Sequence, residues 1–98
     1  MVVWSLSARH DLRAIHDQIA GDSNRYAKRV VKNIVERTET YALHPRMGKS
    51  VSEVGDESVR ELSAYSYRII YRVADPDIVV LAVVHKRQNF LSPFDDED

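Results

Sequence analysis

Residues 58–88 read SVRELSAYSYRIIYRVADPDIVVLAVVHKRQ, and this stretch decides the fold. Three runs rich in β-branched and aromatic residues, at 59–63, 67–73 and 78–84, have the length of ordinary strands. Ser66 and its neighbours fill the first gap. Asp75-Pro76-Asp77 fills the second, where proline presets φ and the aspartates can bond nearby backbone amides. Gaps this short force neighbouring strands to run antiparallel, so the stretch is a three-stranded meander.

The middle strand is the most informative. Side chains alternate faces, which sets Tyr67, Ile69, Tyr71 and Val73 on one side and Arg68, Ile70 and Arg72 on the other. The first face needs a cover of helices, and the second is expected to stay open. A hairpin register that keeps Leu62 in the core adds Glu61 and Val59 to the open side. The third run is apolar at both parities, as a central strand should be, and it ends in His85-Lys86-Arg87. The open face therefore gathers Arg68, Arg72 and Glu61, joined by His85 or Arg87 at the strand end.

Working outward from the meander, Val2-Val3-Trp4-Ser5-Leu6 alternates as a short strand that can join the same sheet. Ser7 is an expected N-cap, followed by Ala8, Leu12, Ile15 and Ile19 at helical spacing. Gly21 suits a left-handed helix end, and Asp22 or Ser23 can cap a second helix. That helix runs over about residues 24–43, on the stripe Ala27, Val30, Val31, Ile34, Thr38, Tyr41 and Ala42. His44-Pro45 ends it, because proline disfavours helical geometry in the residue before it. Two helices with so short a link form an αα-hairpin able to cover one sheet face. Residues 46–57 read as a loop at the rim of the sheet. The expectation is an α+β domain of order β-α-α-β-β-β, with the hairpin on one face of a mostly antiparallel sheet. Residues 1–90 form the domain and 91–98 an acidic tail.

Composition narrows the chemistry. The 98 residues are 44 % apolar and 30 % charged, which suits one globular domain. Absence of cysteine removes disulfides, thiolate zinc sites and cysteine nucleophiles, and fits a reducing cytoplasm. No apolar run approaches the roughly 20 residues that span a bilayer, and no signal-peptide pattern opens the chain. The formal charge of −1 conceals a split: four of the fifteen acids are Asp95-Asp96-Glu97-Asp98, so residues 1–94 hold fourteen bases and eleven acids. His10 and His16 are six apart and point to different sides of one helix, while His44 and His85 lie on other elements, which argues against a metal site. Phosphate loops, dinucleotide fingerprints and G-x-S-x-G elbows are missing from the sequence, and no cofactor is expected.

Two surfaces remain. Arg25, Lys28, Arg29 and Lys32 repeat like charges at i,i+4 near the start of the second helix, against its dipole. They form either a solvated face, relieved by Lys32 with Glu36, or a dock for an acidic partner. The open sheet face also has two readings. Its arginines can simply solvate the sheet, or Arg68 and Arg87 can hold a phosphate while Glu61 or His85 moves a proton.

The chain also resembles the ParE/RelE superfamily of toxins from type II toxin–antitoxin systems. The resemblance rests on Trp4-Ser5 with Ala8 and Asp11-Leu12, on Ile19-Ala20, and on His44-Pro45-x-x-Gly48-Lys49. It continues through Val59-Arg60-Glu61-Leu62, Tyr67-Arg68-Ile69-Ile70-Tyr71 and Val84-His85-x-Arg87, about residues 2–90 in all. It implies a toxin neutralised by a cognate antitoxin whose flexible segment wraps helices and sheet, with Arg25, Lys28, Arg29 and Lys32 as the expected dock. RelE-like members cut messenger RNA on the ribosome, and Arg68 and Arg87 fall where such enzymes keep catalytic arginines. The two lysines these enzymes place on the preceding strand are Val59 and Glu61 here, and their C-terminal tyrosine has only Phe94 as a counterpart. The VREL and VVHKRQ wording is closer to the ParE branch, whose members inhibit DNA gyrase. In that branch Arg87, Phe90 and Phe94 would contact the target. The alternatives are a messenger-RNA endonuclease using Arg68, Arg87, His85 and Glu61, and a non-toxic binding module on the same fold.

Overall fold

The computed structural model describes residues 1–88. Five strands and two helices follow in the order β1 (Val2–Trp4), α1 (Leu6–Ala20), α2 (Asn24–Leu43), β2 (Lys49–Ser50), β3 (Val59–Ala64), β4 (Tyr67–Ala74) and β5 (Asp77–His85). The sheet order is β1-β5-β4-β3-β2. β3, β4 and β5 form the antiparallel meander, with Glu61 opposite Ile70 and Leu62 opposite Ile69. β1 adds to β5 in parallel, and the helix hairpin carries the chain from that edge of the sheet to β2 at the other.

α1 starts two residues earlier than the serine pattern suggests. Ser5, not Ser7, is the N-cap: its Oγ accepts from the Ala8 amide at 3.0 Å and donates to the Leu81 carbonyl at 3.3 Å. The position next to β5 favours Ser5, because only there does one hydroxyl serve helix and strand together. Gly21 keeps right-handed helical geometry, φ −57°, and is not a left-handed cap. The Ile19 carbonyl instead accepts from the Asp22 and Ser23 amides, and Ser23 caps α2 by accepting from the Tyr26 amide. His44-Pro45 ends α2 as expected, with a 3₁₀ turn at Pro45–Met47.

The hairpin lays Ala8, Ile15, Val30 and Ile34 on Leu62, Ile69, Tyr71, Ile78 and Val80 of the sheet. Ile34, Ile69, Tyr71, Ile78 and Val80 are fully buried, and each such side chain contributes about 1.5–3 kcal/mol relative to exposure. Thr38 sits in this core because its Oγ1 donates to the Ile34 carbonyl at 2.8 Å.

Residues 46–57 differ from the expected rim loop. Lys49–Ser50 pairs with Glu61 and Arg60 as an edge strand. Gly48 allows this approach, since a Cβ there would overlap the Tyr71 hydroxyl and lie 2.9 Å from the Glu61 carbonyl oxygen. Tyr71 spends that hydroxyl on the Pro45 carbonyl. Past β2 the chain crosses the second sheet face, and Val51 packs with Val54 on Val59, Ile70, Leu81 and Val84. The face is thus covered over part of its area rather than open. The apolar side chains it carries supply the reason, because they need removal from water.

A bulge in β5 has larger consequences. Ile70 faces Ala82 while Tyr71 faces Val80, so Leu81 is the extra residue. Ile78 and Val80 face the helices before it, and Val83 does so after it. The alternation has changed phase.

Candidate functional site

The phase change relocates the strand end. His85 pairs with Tyr67 across the ladder and meets its ring edge-on, centroids 5.9 Å apart, on the helix side. It lines a groove with Ala14, Ile15 and Gln18 of α1. Uninterrupted alternation would have put His85 on the far face with Arg68, so the expected Arg68–His85 neighbourhood does not form. Lys86 takes that place instead, at a depression shared with Lys49, Glu61 and Arg68.

Arg68 and Glu61 are brought together as expected. Arg68 Nε donates to Glu61 Oε1 at 2.6 Å. The partner missed from sequence is Glu53, in the crossing loop, which takes both terminal nitrogens in a two-pronged pair at 2.9 Å each. Arg68 Nη1 also donates to the Gln88 carbonyl at 2.9 Å. The Arg68 side chain is only 13 % exposed, and those of Glu61 and Glu53 are 9 % and 18 %. Hydrogen bonding to Glu53, and then to Glu61, pushes the Arg68 guanidinium further up against the opposing effect of burial. Lys49 approaches the second Glu61 oxygen at 4.0 Å.

Chemically this is one cation between two carboxylates, latching a loop to the sheet. Its fork is occupied in the plane where a phosphate would bind. Glu53 gave no sequence signal because it belongs to no periodic pattern, and only the loop's path brings it to Arg68. Arg72 is exposed on β4. Arg87 is exposed beyond β5, and its amide donates to His85 Nδ1 at 3.1 Å. The chain exit is tied down by Gln88, whose amide donates to the His85 carbonyl and whose Oε1 accepts from the His85 amide. Phe90, Phe94 and the acidic tail lie outside the described residues.

The basic group on α2 is displayed together. Arg25, Lys28, Arg29 and Lys32 are all exposed. Among the described residues none of the four is ion-paired, so the expected relief of Lys32 by Glu36 is not made. Both side chains are exposed, where holding two long chains in one geometry gains little. Tyr26, on the same half of α2, is also exposed and meets Tyr65 edge-on at 6.4 Å.

A helix hairpin on a mixed five-stranded sheet, with a half-buried arginine held by internal carboxylates, defines a small α+β domain whose displayed chemistry is a basic helix face and a tethered strand end. The chain belongs to the ParE toxin family of type II toxin–antitoxin systems, the parDE type, which it matches over residues 2–90. Its fold is similar to that of a chain in the solved structure of a chromosomal ParDE toxin–antitoxin system from P. aeruginosa. That likeness has a TM-score of 0.70 at 23 % identity and covers 86 % of this chain and 92 % of the other. No curated protein matches the sequence. No helix among the described residues is long and apolar enough to cross a membrane.

Proposed function

We propose that this toxin acts in the cytoplasm by gripping DNA gyrase, that a cognate antitoxin neutralises it, and that it does not cut RNA. The observation carrying this reading is the state of Arg68. Its guanidinium donates to Glu53, Glu61 and the Gln88 carbonyl, and His85 lies across the sheet. Cleavage would need a phosphate clamp and a proton-transfer group within about 2.6–3.2 Å of the reacting atoms. The pair Arg68–Glu61 is near enough, yet each spends its charge on the other. Val59 and Glu61 also stand where RelE-like enzymes carry lysines.

The binding surfaces fit the reading. The segment from His85 to Phe94 carries Arg87, Phe90 and Phe94, cationic and aromatic anchors of the kind that dominate protein interfaces. Arg25, Lys28, Arg29 and Lys32 offer an acidic antitoxin segment a complementary surface. Purified protein should block gyrase supercoiling, antitoxin should reverse the block, and replacing Phe90 and Phe94 by alanine should weaken it. Defined cuts in ribosome-bound message, lost in a folded Arg68→Ala protein, would overturn the proposal in favour of an endonuclease.

A further inference from the structure

We infer that the basic face of α2 is a docking surface for this chain's own acidic tail, bound in cis. The groove between α1 and the sheet touches both the chain exit and the first half of α2, which carries those cations. Gln88 and Tyr26 of α2 both line it, and Ala14, Ile15 and Val30 supply an apolar strip among polar neighbours that include Asp11 and Gln18. Its cavity volume is about 560 Å³. Arg29 is three residues after Tyr26 and so neighbours it on the surface of α2, which places a cation beside the groove.

Residues 89–98 continue from Gln88 with a matching order of chemistry. Phe90, Leu91 and Phe94 come first, then Asp95-Asp96-Glu97-Asp98. Apolar side chains would meet the groove wall, and the acids would meet the cations. Reach is ample. Asp95 is seven residues beyond Gln88, a span of up to roughly 23–25 Å when extended. The charges also match in number: the tail has four acids, and α2 shows four cations that have no ion pair among the described residues. The acids lie beyond residue 90, where the match to the family stops. Tethering makes the local concentration of the acids high, on the order of millimolar, so even a weak contact is populated. An acidic partner must displace the tail to reach the same cations.

The test compares the full chain with a variant whose tail is neutralised, Asp95→Asn, Asp96→Asn, Glu97→Gln and Asp98→Asn, by two-dimensional amide NMR. At low salt the two spectra should differ at residues 25–32, and the difference should vanish at ~0.5 M salt, where the Debye length falls to a few ångströms. Arg25→Glu with Arg29→Glu should erase the same difference, and unchanged core amides such as Ile69 and Val80 certify the fold of each variant. The neutralised tail should also speed association with an acidic probe peptide, by roughly 10-fold at low ionic strength. Identical helix amides in the first pair of spectra would overturn the inference. Differences that fade on dilution would overturn it as well, since they would place the tail on a second copy. Neither readout depends on gyrase, so a failed inhibition assay leaves this contact standing.

Discussion

Replacing Arg68 by alanine tests whether the cation between Glu53 and Glu61 holds the molecule together. The substitution deletes donors to two carboxylates and to the Gln88 carbonyl. It takes the shared guanidinium away from Glu61, with a side chain 9 % exposed, and from Glu53, at 18 %. Removing one partner of a buried pair costs about 3–5 kcal/mol, because the remaining charge stays desolvated. Glu53 sits on a surface loop and can recruit water, so the lower end, about 3 kcal/mol, is expected. A domain of this size has total stability of roughly 5–15 kcal/mol. The loss should lower the melting midpoint by about 12–24 °C, at 4–8 °C per kcal/mol. Urea unfolding followed by circular dichroism measures it directly. A second variant separates lost attraction from stranded charge: Arg68→Met with Glu53→Gln and Glu61→Gln should recover most of the loss. If Arg68→Ala stays within ~0.5 kcal/mol of the parent, the cluster is an ordinary surface pair and the latch argument is wrong.

Other consequences can be checked on the same protein. Gly48→Ala should cost about 1–3 kcal/mol in urea unfolding by pushing Tyr71 off its bond to the Pro45 carbonyl, whereas Gly21→Ala, in helical geometry with its nearest neighbour 3.5 Å away, should be neutral or mildly stabilising. Burial pushes the Tyr71 phenol above its ordinary value of 10.0, so the folded state holds this proton more tightly. Its contribution is complete below that value and fades as pH rises through the raised one; Tyr71→Phe should remove this alkaline loss, seen by absorbance titration, while costing about 1 kcal/mol at neutral pH. Reversing Arg25 and Arg29 should slow association with an acidic antitoxin and flatten its salt dependence in stopped-flow measurements, and unchanged kinetics would return the patch to a solvated face.

The elements themselves were legible in the sequence because each rests on local periodicity. The meander strands and the second helix follow from side chains repeating at 2.0 or 3.6 residues, the helix end from Pro45, and the placing of Glu61 beside Arg68 from alternation once Leu62 is set in the core. The family resemblance rested on the same residues and held over 2–90. What lay beyond reach of the sequence has no period. The bulge at Leu81 adds one residue and turns His85 to the helix side, and no residue type around it marks the place. The loop through Val51 and Glu53 is an irregular run whose path is set by apolar patches on the distant strands β3, β4 and β5. Choosing between Ser5 and Ser7 as the cap likewise required the Leu81 carbonyl to be in place. Local chemistry determined what each segment would become. Only packing between segments far apart in the chain could decide that Arg68 faces Glu53 and that His85 does not join it.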